Sequence, residues 1–158
     1  MSTLKVGTIQ DHANGNTAIS IDSSGRVTTP ARPSFEAKRT SGDVTQGNVV
    51  VWNETRHNIG GHYNTSTGEF TAPIGGTYLF TGQGFTNNTN NITLDLQVNG
   101  VNRFRYQDVT DTNGYRSGTF SYITLLNASD VVRIYTTIGT VHINPSGLYS
   151  HFAGVLIG

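Results

Sequence analysis

Between His62 and Phe80 the chain reads HYNTSTGEFTAPIGGTYLF, and this run restricts the fold more than any other. Tyr78 and Phe80 are two residues apart, which puts both rings on one face of a β-strand, with Gly82 following on that face. Gly68 sits in a Ser/Thr-rich bend and Pro73 to Gly76 supplies a second, so the run predicts strand, turn, strand, turn, strand. Paired aromatics held between turns in this way point to a sandwich.

Composition supports an almost helix-free chain. Only 13% of its 158 residues are charged, and Asn, Thr, Ser and Gly supply the polar surface, residues that suit turns and strands and disfavour long helices. Ten basic and ten acidic residues cancel, with no basic run, so no nucleic-acid partner is expected. Without cysteine there are no disulfides or thiolate metal sites, and stability rests on packing. The start, MSTLKVGTIQDHANG, lacks the apolar run of a secretory signal, and no window approaches the roughly 18 apolar residues that span a bilayer. The expectation is a soluble protein, with no membrane insertion and no Sec export.

Residues 1–33 differ from the remainder. Leu4, Val6 and Ile9 form a thin apolar series, Asn14 to Asn16 is a turn, and AISIDSSGRVTTP reads as a hairpin about Ser23 to Gly25. A lone hairpin is marginal in water, so this segment is expected to gain order against copies of itself or a larger body. Pro30 and Pro33 stiffen a linker at 28–33. From Ser34 to residue 158 strands are expected at 34–39, 48–53, 57–63, 68–72, 76–85, 92–99, 101–107, 118–126, 131–137 and 148–157. Ile92, Leu94, Leu96 and Val98 alternate with polar residues before Asn99-Gly100, which predicts a type I′ hairpin with one buried face. The closing strand is apolar on both faces toward its end, which suits a strand central in a sheet or covered by a neighbouring subunit.

No catalytic constellation emerges. Glu36, Glu54 and Glu69 have no paired partner in sequence, and His12, His57, His62, His142 and His151 are scattered without metal-ligand spacing. Nothing such as a nucleophile elbow supports a serine hydrolase, and a glycan depolymerase lacks its carboxylate pair. The protein is expected not to be an enzyme.

The spaced Tyr63, Gly68, Phe70, Gly76, Tyr78 and Phe80, followed at the far end by Phe152-Ala153-Gly154-Val155-Leu156, resemble the globular domain of the C1q-like branch of the C1q/tumour necrosis factor superfamily. Phe35-Glu36-Ala37 and Asp130-Val131-Val132 fall where that family would have them. The resemblance covers about residues 34–158 and implies an all-β, ten-strand jelly-roll sandwich that forms a bell-shaped homotrimer and binds rather than catalyses. Family domains usually hang from a collagen or coiled-coil stalk, and here there is neither a Gly-X-Y repeat nor a heptad pattern. The segment LKVGTIQ with GNTAISIDSSGRVTTP instead resembles β-rich segments of phage tail-fibre and virion proteins.

With the last strand antiparallel to the first, as in the resembling fold, the Asn99-Gly100 turn lies at the stalk end. Loops 86–91, 107–117 and 138–147 then lie at the far end. Asn87, Asn88, Asn90, Asn91, Asp108, Asp111, Asn113, Tyr115, His142 and Asn144 on these loops are the candidate binding residues. Amides offer donor and acceptor together, and Tyr115 offers a flat apolar face, chemistry suited to glycans or protein surfaces. The resemblance also brings calcium into view, with Gln107, Asp108, Asp111 and Asn113 as hard oxygen donors. Gly114-Tyr115-Arg116 stands where relatives can carry a further Asp, so one ligand is lost. The expected function is a trimeric phage virion or tail-fibre module. It contacts a host cell-surface glycan or protein through the far-end loops and other virion proteins through residues 1–33. The alternatives are a capsid-decorating or fibre-joining protein without receptor binding, or a bacterial C1q-like adhesion protein at the cell surface or secreted.

Overall fold

The computed structural model describes residues 4–87, 92–109, 115–142 and 148–158, and gives the backbone but not the side chains of Asn87, 107–109 and Tyr115. Among the described residues there is no helix. Contacts divide the chain into two units, Met1–Arg32 and Pro33–Gly158.

The first unit is an antiparallel sheet of β1 (Thr8–Gln10), β2 (Thr17–Ile21) and β3 (Val27–Thr28), in that order. Aspartates build both of its turns. The Asp11 carboxylate accepts from the Asn14 N–H at 2.9 Å beside Gly15 at φ 70°. The Asp22 carboxylate accepts from the N–H groups of Ser24 at 2.9 Å and Arg26 at 3.0 Å. Side-chain acceptors of this kind stand in for backbone partners in tight turns. The expected hairpin about Ser23 to Gly25 forms, and β1 adds a third strand to it.

The second unit contains β4 (Ser34–Lys38), β5 (Val44–Thr45), β6 (Glu54–Ile59), β7 (Tyr63–Asn64), β8 (Glu69–Thr71) and β9 (Gly76–Asn87). It continues with β10 (Ile92–Val98), β11 (Val101–Val109), β12 (Tyr115–Leu126), β13 (Val131–Ile138), β14 (Thr140–Val141) and β15 (His151–Leu156). One sheet runs β11-β10-β13-β8-β7, the other β12-β9-β15-β4-β6, and β14 pairs with β5 alone. The described pairings are antiparallel, including that of the closing strand β15 with β4. This is a jelly-roll-like sandwich.

Side-chain alternation explains the core. Ile92, Leu94, Leu96 and Val98 of β10 point inward, as do Tyr78 and Phe80 of β9 and Phe152 of β15, and all are buried. Phe70 of β8 meets Tyr78 at 5.6 Å and Phe80 at 5.7 Å edge-on, joining the two sheets through rings. Gly154 leaves room for them: a Cβ there would lie 2.6 Å from Phe35 and 2.7 Å from Phe80. Gly82 stands in the same relation to Phe120, at 2.5 Å.

Asn99 and Gly100 take φ of 52° and 77°, as a type I′ turn demands, and Val98 pairs with Val101. Two strand expectations are corrected. The stretch 57–63 is interrupted because Gly60 and Gly61 both hold positive φ, 82° and 73°, and the Gly61 N–H closes a turn on the Asn58 carbonyl. The stretch 48–53 is no regular strand: Val49 forms a single bridge to Tyr135, while the Val50 N–H bonds the Ile134 carbonyl at 2.8 Å. Its apolar residues Val50 and Trp52 are nevertheless buried, and burial was the signal the pattern carried.

Candidate functional site

Register locates the two ends of the sandwich. Leu126 lies opposite Gly76, Ser34 opposite Val155, and Val98 opposite Val132, so the Asn99-Gly100 turn and the entry at Ser34 share one end. At the other end Asn87 pairs with Tyr115, and Ile92 with Val109. Asn87, Asp108 and Tyr115, expected on loops, belong to strands β9, β11 and β12. The expectation ended the strands at 85 and 107 and began the next at 118, where Asn-, Asp- and Gly-rich sequence suggests loop, whereas a backbone ladder continues through polar residues wherever the neighbouring strand offers partners. Asn88, Asn90, Asn91, Asp111, Asn113 and Asn144 lie outside the described residues.

His142 has a structural tie. Its N–H donates to the Phe85 carbonyl at 3.0 Å, and its Nδ1 is 2.8 Å from Asp43 Oδ2. Val141 pairs with Val44, so the His142–Asp43 contact continues that short ladder. Among the described residues no group of three or more His, Asp or Glu is placed to hold a metal ion. Of the calcium donors, Asp111 and Asn113 lie outside the described residues, as do the side chains of Gln107 and Asp108.

The outward faces of the two sheets differ sharply. On the first, Asp95 is 1% exposed although it points away from the apolar core. Arg105 covers it through Nε at 2.8 Å and Nη2 at 3.1 Å, and Asn102 and Thr137 donate to it at 2.8 and 2.5 Å. Asn102 accepts from Gln97, whose oxygen accepts from Arg133, which pairs in turn with Glu69 at 2.9 Å. This face is sealed by its own side chains.

The second sheet carries an open apolar face. Leu79 pairs with Ile123 on one side and Val155 on the other, forming a cross-strand row. Ile123 is 60% exposed and Leu125 75%. Beside them lies a groove of about 290 Å³ lined by Ser34, His57, Leu79, Thr81, Ala153 and Val155, among others. Toward the β6 edge the face turns polar, with the Lys38–Glu54 ion pair at 2.9 Å and an Arg56–Glu36 pair. An apolar centre with a charged border has the anatomy of a protein interface. The sequence expectation recognised this only at β15. The missed signal was the apolar identity of Leu79, Ile123 and Leu125 on the parity opposite to the core rings.

His151 lies on this face, with Lys38 and Gln83 as its cross-strand partners. Burial pushes its imidazole below the ordinary 6.5, the Glu36 carboxylate opposes that, and the Arg56 charge reinforces it. The unfolded chain therefore binds this proton first as pH falls through about 6.5, and stability drops on acidification. The expected slope is at most about 1.4 kcal/mol per pH unit, the limit for one proton. Urea midpoints at pH 7.5 and 5.5 check this, with His151→Gln expected to flatten the difference.

Two antiparallel sheets around an aromatic core, one face sealed and one apolar and open, define a jelly-roll interaction domain. The chain belongs to the C1q domain family, whose model matches residues 34–157. Its fold is similar to the globular domain of a zebrafish complement 1qA protein, at TM-score 0.67 and 20% identity, covering 80% of this chain and 98% of that one. Eiger TNF from S. frugiperda is similar at TM-score 0.65 and 15% identity, with 81% and 94% covered. Murine APRIL is similar at TM-score 0.56 and 14% identity, with 80% and 99% covered.

Proposed function

We propose that the protein is a non-enzymatic, homotrimeric binding module of a phage virion or tail fibre. In this reading the open face of the β12-β9-β15-β4-β6 sheet packs against neighbouring copies, the far end of the sandwich contacts a host cell-surface glycan or protein, and residues 1–33 attach to other virion proteins. The observation that carries it is the contrast between the faces. Asp95 and its partners satisfy one sheet internally, while Ile123 and Leu125 leave an exposed apolar row on the other, in a family whose domains are typically trimeric binding modules. Covering that row with identical chains removes it from water. An obligate interface buries of order a thousand Å² per subunit or more. Threefold repetition would then make weak contacts at the far end effective through avidity. The virion assignment rests on the resemblance of the N-terminal segment.

Light scattering is expected to give the mass of three 17.0 kDa chains. Ala153→Arg puts a charge in the groove without touching the core and should yield a folded monomer, with at least a hundredfold weaker association. A monomeric parent protein contradicts the trimer. For the binding role, fluorescently labelled protein should stain host cells. Alanine at Asn88, Asp111, Tyr115 and His142 together should reduce staining about tenfold or more, and unchanged staining removes the far-end assignment.

A further inference from the structure

We infer that the apolar face of the N-terminal sheet is covered by the same sheet of two further copies of this chain, so that residues 8–28 form a threefold self-packed stalk. The inference rests on the trimer reading above. Thr17, Ile19 and Ile21 alternate onto one face of β2, Ile9 lies opposite Ile19, and Val27 lies opposite Ile21. Cross-strand partners share a face, so four β-branched apolar residues form one block while Thr8, Ala18, Ser20 and Thr28 occupy the other side. Ile9 is 48% exposed and Val27 64%, and no described residue of 4–32 is buried. Taking these exposed apolar side chains out of water is favourable, so a surface that covers this face stabilises the sheet.

Identical copies suit this face better than a different protein for two reasons. A threefold axis brings each residue near its own equivalents, so a charge there would meet like charges, and the strands carry none. Asp11, Asp22 and Arg26 are confined to the turns, and Asp22 and Arg26 pair at 2.7 Å. The second reason is the tether. Only residues 29–33 separate β3 from β4, a reach of roughly 20 Å, and Ser34 at the start of β4 lines the groove of the proposed trimer face. A domain trimer thus holds three N-terminal sheets at millimolar effective concentration, where weak self-association suffices.

Hydrogen exchange on the full chain tests this. In the parent trimer the amides of Ile21 and Asp22, which bond the Gly7 and Arg26 carbonyls, are expected to be protected about tenfold or more over an open hairpin. That protection should disappear in the Ile19→Asp, Ile21→Asp variant while light scattering still reports a trimer, and also in the Ala153→Arg monomer. A trimer whose N-terminal amides exchange freely overturns the inference alone and leaves the face for a different protein. Protection that persists in the Ala153→Arg monomer or in the Asp variant overturns it as well. A monomeric parent overturns both this inference and the trimer reading.

Discussion

Replacing Phe152 by alanine lowers the unfolding free energy by about 3–5 kcal/mol, the range for a buried Phe truncated in a core that cannot close over the gap. Its ring meets Phe35 edge-on at 5.0 Å, stacks with Phe80 at 5.9 Å and faces Phe120 at 6.4 Å. Collapse is prevented by the backbone, because β15 is hydrogen-bonded to β9 on one side and β4 on the other. Ordinary domains hold only about 5–15 kcal/mol in total. The melting temperature is therefore expected to fall by roughly 6–20 °C, measured at fixed protein concentration because a trimer's melting point depends on it. A loss below about 1 kcal/mol would show that Phe152 is not the centre of the packing.

Asp95→Ala is the second large effect, at about 2–4 kcal/mol in urea unfolding. Breaking a buried ion pair typically costs about 3–5 kcal/mol; here Arg105 is 49% exposed and can turn to solvent, which lowers the figure. Asn102 and Thr137 also lose their acceptor. Burial alone would raise the Asp95 carboxyl, but hydrogen bonds from Arg105 and Thr137 and the Arg105 charge hold it below the ordinary 3.8. The stability this carboxylate contributes is thus present above about pH 4 and disappears as pH falls through its folded pKa. Asp95→Asn keeps the shape without the charge and should flatten the acid limb of the stability curve. An unchanged acid limb would assign the acid sensitivity to other carboxylates.

Much of the interior was legible from short-range pattern. Tyr78 and Phe80, and the series Ile92, Leu94, Leu96 and Val98, face the core as alternation requires. Asn99-Gly100 turns as its φ preferences dictate. Where the reading failed, distant partners decided the outcome. Residues 48–53 track β13 through Val49 and Val50 without a regular ladder, and Tyr115 is drawn into β12 by Asn87 across the sheet. The contact between His142 and Asp43, about a hundred residues earlier, is likewise one that no local spacing announces, and it leaves the candidate binding role of His142 as proposed above.

The sequence by itself determined that this chain would be an all-β sandwich with its aromatics between two sheets, since side-chain parity along a strand is a local property. It determined the turns for the same reason, because Gly, Asn and Asp accept the required backbone angles within a few residues. Only the tertiary structure decided what happens on the two outward faces. Asp95 is buried because Asn102, Arg105 and Thr137 come from neighbouring strands to cover it, while Ile123 and Leu125 stay open because no described residue of their own chain covers them. Whether an outward face is closed depends on strand order and on what lies over it, and that is fixed only when distant segments meet.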